Sequence, residues 1–172
     1  MKRILTEEEK AKLENLYHSF LNDKLILKMK DIPMHRGSNC YIHSFKVAKL
    51  SMKKALKKEG YNLENLLIAS ILHDYYLYDW RTNKNLRKKH GSRHPIVANE
   101  NAKKDFHISS EVSEIILSHM WPLTPKNFPK TKEAKLVNWA DDVIATKEFL
   151  VSRGHKKKHE KEYLDYISTL FD

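Results

Sequence analysis

The sequence predicts an all-α fold. Glycine and proline, which interrupt helices, number four and five in 172 residues. Many stretches are instead rich in Lys, Leu, Glu and Ala, which favour helices. Apolar residues recur at helical spacing, and no stretch reads as a convincing strand. We therefore expect a single domain over residues 1–172, long enough to bury a core without disulfides.

The first helix has the clearest start signal. Thr6 is the predicted N-cap, and Glu9, three residues later, would close a capping box. Apolar residues at helical spacing continue to about Asn22. A short apolar segment over residues 25–27 follows after a break, and Pro33 ends this region before a loop.

The next two helices are predicted to form the centre of the fold. The first carries apolar residues over 41–52 and ends in a lysine-rich turn, a common signal for helix termination. The second starts near Asn62 and is apolar nearly all round as far as Leu72. A helix with apolar residues on every face is expected to be buried. The ionisable pair His73-Asp74 closes it.

Four further helices are predicted in the remainder of the chain. An aromatic segment, residues 75–80, and a polar, basic loop, residues 81–91, come first. Pro95 is expected to open the next helix, because proline suits a first turn. Trp121 and Trp139 are expected in the core. The predicted helices cover residues 95–105, a short stretch capped by Ser109 that ends near His119, residues 133–151, and an amphipathic stretch from Lys156.

Composition limits the class of protein. The net charge of +10, from 32 basic and 22 acidic residues, suggests an anionic partner such as a phosphate ester, a nucleotide or nucleic acid. A solvated, lysine-rich surface would give the same balance. The single cysteine, Cys40, excludes an internal disulfide and a Cys-cluster zinc site, and it fits a reducing cytosol. We find no signal peptide and no apolar run near the ~20 residues of a membrane span, so we expect a cytoplasmic protein.

Six ionisable residues lie within or at the edges of apolar patterns on five predicted helices. Burying such groups is costly unless something neutralises them. Helical bundles build metal sites from inward ligands of this kind. Four imidazoles and two carboxylates suit one or two divalent ions, such as Fe, Mn, Co or Zn. The candidate metal ligands are His43, His73, Asp74, His94, His119 and Asp141.

The order of these residues resembles the HD superfamily of metal-dependent phosphohydrolases, which are all-helical. Its pattern of a histidine, a His-Asp pair and a late aspartate is matched within residues 41–48, 69–74 and 140–141. His94-Pro95 and His119 are similar to the further histidines of members that bind a second metal. Residues 77–80, 90–95 and 119–123 also resemble an uncharacterised bacterial HD subgroup.

The resemblance implies a fold and a mechanism. It covers about residues 35–150, so we expect an HD-like bundle of about six to seven helices with the terminal helices packed on it. Asp74 would bridge two ions and, with His73, would be catalytic. A metal-bound hydroxide would attack the phosphorus of a phosphate ester. The implied ligands are His43, His73, Asp74 and Asp141 for the first ion, and Asp74, His94 and His119 for the second.

The chain departs from the family at two places. Tyr75 and Tyr76 follow the His-Asp pair where many members carry glycine and lysine, so no lysine there is expected to hold phosphate. Asp142 lies where lysine is common. It competes with Asp141 for the ligand role, and Asp141 is preferred by its position in the motif.

The substrate residues are less clearly marked. Basic residues crowd the loops beside the ligands, and arginine suits bidentate contact with phosphate. Ordinary loop or solvent-exposed roles stay open for each. We expect a small anionic, phosphate-containing substrate and no nucleic acid. The candidates are His35, Arg36, His90 and Arg93.

Two other functions remain open at this point. One is a di-iron oxygenase, a chemistry that exists on the same scaffold. The other is a non-catalytic module on the HD fold that binds metal or nucleic acid. The leading interpretation is a phosphohydrolase acting on a nucleotide or a related small molecule.

Overall fold

The structure is a computed structural model that describes residues 2–34, 38–82, 84–151 and 159–171. These residues contain eight α-helices, one 3₁₀ turn at Lys28–Asp31 and no strand, so the all-α prediction is confirmed. The helices are α1 (Glu7–Leu21), α2 (Lys24–Leu27), α3 (Cys40–Ala55), α4 (Leu63–Leu72), α5 (Lys84–Phe106), α6 (Ser110–Ser118), α7 (Lys132–Val151) and α8 (His159–Tyr166).

Helix α4 lies at the centre of the core, as its sequence predicts. Leu66, Leu67 and Ile71 are fully buried. Helices α3, α6 and α7 all pack against α4. Burying a leucine or isoleucine side chain contributes about 1.5–3 kcal/mol. The two ends of the chain also meet, because the Tyr17 hydroxyl on α1 donates to the carbonyl oxygen of Ile167 at 2.7 Å.

The Leu66→Ala substitution is expected to lower the free energy of unfolding by about 2–5 kcal/mol, because it leaves a cavity in the packed core. Leu150→Ala is the matched control, since Leu150 is 65% exposed. That control is expected to change stability by no more than about 0.5 kcal/mol. Urea denaturation followed by circular dichroism measures both. Equal losses in the two variants would contradict the central position of α4.

The N-terminal capping box is present as predicted. The Thr6 hydroxyl oxygen accepts from the backbone N–H of Glu9 at 3.1 Å, and the Glu9 carboxylate accepts from the backbone N–H of Thr6 at 3.0 Å. These contacts satisfy two N–H groups that a helix start would otherwise leave unpaired.

The prediction for α5 was wrong in two respects. Residues 84–91 are helical rather than a loop, and Pro95 lies inside α5 instead of opening it. The early turns are mostly exposed, so they need no apolar residues and their polar composition resembles a loop. Pro95 has no N–H to donate to the carbonyl of Gly91, four residues earlier. The long helix carries His94 well inside its length.

The core assignment of two tryptophans was also wrong. Trp121 and Trp139 are 37% and 39% exposed. Trp139 precedes Asp141 by two residues, and two residues rotate a helix by about 200°. Because Asp141 faces the core, Trp139 faces away from it, where the Lys54 ammonium lies 4.9 Å from its ring centroid.

Among the described helices, none combines the length and the apolarity needed to cross a membrane.

Candidate metal centre

Five helices supply six buried ligand candidates. His43 lies in the first turn of α3, and Asp141 lies in the middle of α7. His73 and His119 cap the C-terminal ends of α4 and α6. Asp74 follows His73, and His94 lies within α5. The structure brings all six together, and none is more than 9% exposed.

The six residues form two triads. The first triad is His43, His73 and Asp141, and the second is Asp74, His94 and His119. In each triad the potential ligand atoms lie within 4.8 Å of one another. Imidazole nitrogens and carboxylate oxygens at such distances suit divalent transition metals.

Asp74 belongs to the second triad and also faces the first. Its Oδ1 is 3.3 Å from His94 Nε2 and 3.7 Å from His119 Nε2. Its Oδ2 faces the other side, 3.4 Å from His73 Nε2. The carboxylate therefore presents one oxygen to the histidines of each triad and would suit a ligand shared by two metal ions.

The backbone fixes the tautomers of three histidines. Nδ1 of His73, His94 and His119 lies 2.8, 3.0 and 2.7 Å from the carbonyl oxygen three or four residues earlier in the chain. A carbonyl oxygen can only accept, so each Nδ1 carries the hydrogen and donates it. In the neutral imidazole each Nε2 is then left with a lone pair directed into the site, the arrangement that metal-binding histidines usually have.

Among the residues that the structure describes, no donor faces these inward lone pairs. His94 Nε2 and His119 Nε2 lie 2.8 Å apart, and two lone pairs at that distance repel each other unless a cation lies between them. His73 Nε2 is buried and has no hydrogen-bond partner within the described part of the chain. Unsatisfied buried acceptors are costly. The site therefore fits divalent cations, which would satisfy all three nitrogens.

A family model described as HD domain matches residues 40–146. The match covers more than half of the chain and includes both triads. The chain belongs to the HD domain family. This is a superfamily of the metal-dependent phosphohydrolase type, and its domains bind divalent metals. Neither the curated proteins nor the solved structures contain a match to the chain.

The charges of the HD centre favour a cation. Burial would lower the pKa of His43, but hydrogen bonds and charge from Asp141 and Glu148 raise it to about 10. Burial lowers the pKa of His94 to about 3, so this imidazole is neutral and free to bind metal. Burial would raise the pKa of Asp141, but His43 and His73 hold it well below its usual value. The negative field of the first triad thus attracts either a proton or a metal ion.

Glu148 is a part of the centre that the sequence interpretation missed. Its Oε2 lies 3.0 Å from His43 Nδ1, and its Oε1 accepts from the Lys46 ammonium at 2.9 Å. Burial would raise the pKa of Glu148, but His43 and Lys46 lower it to about 2. The ionised carboxylate keeps the hydrogen of His43 on Nδ1, so that Nε2 faces Asp141 at 2.9 Å. Glu148 follows Asp141 by seven residues, so the two side chains lie two turns apart on the same face of α7. This spacing is the feature of the sequence that could have identified Glu148.

Asn138 is a second missed residue. Its side-chain amide donates to the carbonyl oxygens of His119 and Trp121, at 2.5 and 2.6 Å. It lies on α7, three residues before Asp141. Asn138 therefore ties the end of α6, with the ligand His119, to α7, the helix that carries Asp141 of the first triad.

The Asn138→Ala substitution is expected to weaken binding of the second metal ion by about 10–100-fold, the usual cost of losing an outer contact that orients a ligand. The affinity for the first ion is expected to change less, because His119 belongs to the second triad. Chelator competition with manganese measures the two affinities. Asn127→Ala, in the segment between α6 and α7, is the control. Unchanged binding of the second ion in Asn138→Ala would contradict this role.

His90 adjoins the second triad. Its ring stacks on Trp80 at 5.0 Å and on His94 at 4.6 Å, and its Nδ1 lies 3.1 Å from the Tyr78 hydroxyl. Arg93, the neighbour of His94 on α5, is exposed.

Two other predicted substrate residues, His35 and Arg36, lie outside the described residues. The competing aspartate, Asp142, is exposed on α7, whereas Asp141 faces the histidines. Asp79 lies 3.1 Å from Arg81 in a surface ion pair.

Proposed function

We propose that this HD protein is a metal-dependent phosphohydrolase that cleaves a phosphate ester of a nucleotide or a related small molecule. The observation that carries the proposal is the position of Asp74, with one carboxylate oxygen toward each triad. Two ligand sets that share one carboxylate are suited to hold two divalent ions close together. Paired ions, when bound, supply an acidified water and positive charge for phosphate oxygens.

The side chains of the centre perform complementary tasks. His73, His94 and His119 present Nε2 lone pairs that are fixed by their Nδ1–H donations. The carboxylates of Asp74 and Asp141 supply negative charge that offsets part of the charge of the ions. Burial excludes water from the ligands and strengthens their electrostatic interactions.

The environment of the site supports an anionic substrate. The net charge is +10, and Arg93 is exposed beside the second triad. A guanidinium group can bind two phosphate oxygens at once. The half-buried stack of Trp80 and His90 offers a flat surface for a planar base. A cytoplasmic location belongs to the same proposal, because a single cysteine fits a reducing compartment.

The test combines elemental analysis with a substrate screen. Purified protein is expected to contain two divalent transition-metal ions per chain. Metal-replete protein is expected to release orthophosphate or a nucleotide from at least one member of a panel of phosphomonoesters, nucleotides and dinucleotides. Bound metal without any hydrolysis across this panel would overturn the catalytic proposal. An iron-dependent absorption spectrum that changes with oxygen, again without hydrolysis, would support the oxygenase alternative.

A further inference from the structure

A basic cavity lies at the C-terminal end of α3, on a different part of the molecule from the metal centre. Its volume is about 470 Å³, within the range of small-molecule sites. Three segments form its walls: the end of α3, the N-terminal residues before α1, and the chain from the end of α8 to residue 171. Lys53 follows His43 by ten residues, which is about 15 Å along a helix axis.

Lysines from two segments contribute to the lining of this cavity. Lys49 and Lys53 lie one turn apart on α3, and Lys57 lies in the turn that follows the helix. Lys2 joins them because the backbone N–H of Arg3 donates to the carbonyl oxygen of Leu56 at 3.2 Å. Among the described residues, none that lines the cavity is acidic, and Lys2, Lys53 and Lys57 form no ion pair.

Concentrating these charges has a cost in the absence of a counter-ion. Lys49 and Lys53, one turn apart on α3, repel each other. The helix dipole favours cations at a C-terminus and offsets part of this cost for Lys53 and Lys57. The helix dipole does not explain why Lys2, which belongs to another segment, lines the same cavity. A bound anion would satisfy all three ammonium groups.

The apolar part of the lining is held in place. Leu56, Tyr166, Leu170 and Phe171 form it. The carboxylate of Glu14 accepts from the backbone N–H groups of Leu170 and Phe171 at 3.4 and 3.3 Å. The Lys49 ammonium donates to the carbonyl oxygen of Tyr166 at 2.7 Å. These contacts preform a surface that carries two aromatic rings.

We propose that this cavity binds a phosphorylated small molecule of nucleotide size. Its phosphates would contact Lys2, Lys53 and Lys57, and its planar ring would pack against Tyr166 and Phe171. A lining that combines ammonium groups with aromatic rings matches the two parts of such a ligand. The proposal is independent of the phosphohydrolase activity, since no residue of the cavity belongs to either triad.

The probe is a fluorescent adenosine triphosphate analogue with a non-hydrolysable β,γ bridge, titrated into the full chain with its metals. It is expected to bind with saturation. The double variant Lys53→Glu/Lys57→Glu is expected to weaken binding at least tenfold. Lys103→Glu/Lys104→Glu on α5 changes the net charge equally at another exposed site and is expected to retain binding. Circular dichroism verifies that both variants are folded.

Two further variants locate the probe. His94→Ala, which damages the metal centre, is expected to leave binding in the cavity unchanged. Phe171→Ala is expected to weaken binding of the analogue but not of inorganic tripolyphosphate, which has no ring. Loss of binding in His94→Ala together with full binding in the Lys53/Lys57 variant would overturn the proposal. Equal weakening by the two lysine double variants would also overturn it, because the attraction would then come from net charge alone.

Discussion

Replacing Asp74 with alanine is expected to remove both metal ions and to lower phosphate-ester hydrolysis by at least about 10³-fold. The two carboxylate oxygens face different triads, so one substitution damages both sites. Metal ions supply several kcal/mol of transition-state stabilisation, and each 1.36 kcal/mol is worth a factor of ten. Metal content per chain, measured by elemental analysis, and the rate of phosphate release test the two parts of this expectation.

Two control variants separate the bridging role from general damage. His94→Ala removes a ligand from the second triad alone, so it is expected to reduce the metal content from two ions to one. Asp142→Ala removes an exposed carboxylate next to Asp141 and is expected to keep both ions. If Asp74→Ala still bound one ion as tightly as His94→Ala does, Asp74 would belong to a single triad and the bridging assignment would be wrong.

Much of the metal centre could be predicted because its ionisable ligands occur within, or at the ends of, apolar stretches of the sequence. His73-Asp74 ends the most apolar helix of the chain, and Asp141 interrupts the apolar face of α7. A charged or polar group in such a position needs a physical reason, and a metal ion is one of the few that suffices. The six residues proposed from this pattern are those that the structure brings into two triads.

The supporting contacts were harder to predict because their residue types are common on helix surfaces. Lys46 and Glu148 resemble solvated charges in the sequence, yet each is 6% exposed. Their burial depends on the packing of α3 against α7 and is not visible in either helix alone. Asn138 is similar, since its two acceptors belong to the chain between α6 and α7. The positions of these side chains are set by contacts between different helices, which the local sequence does not reveal.

The wrong prediction of where α5 begins has a related cause. Helix periodicity is visible in a sequence only where one face is buried. The first turns of α5 are mostly exposed, and the buried face becomes regular only from His94 onward, through Ala98 and Ala102. Pro95 then resembles a helix start because it coincides with the first buried turn. The structure shows that the buried half of α5 begins there, whereas the helix itself begins at Lys84.

Glu148→Ala is expected to weaken binding of the first metal ion by about 10–100-fold, because His43 loses the acceptor that fixes its Nδ1–H. The same change leaves the Lys46 ammonium buried without its carboxylate. Removing one partner of a buried ion pair costs about 3–5 kcal/mol. The free energy of unfolding is measured by urea denaturation of metal-free protein, since bound metal would add its own stabilisation. Glu100→Ala, at an exposed position on α5, is the control.

A double variant separates the two roles of Glu148. In Lys46→Met/Glu148→Ala neither charge remains buried, so most of the lost unfolding free energy is expected to return. Metal affinity at the first triad is expected to stay low, because His43 Nδ1 still lacks its carboxylate acceptor. Recovery of both stability and affinity would show that Glu148 acts only by neutralising Lys46. Recovery of stability alone would assign to Glu148 the positioning of His43 in the metal centre.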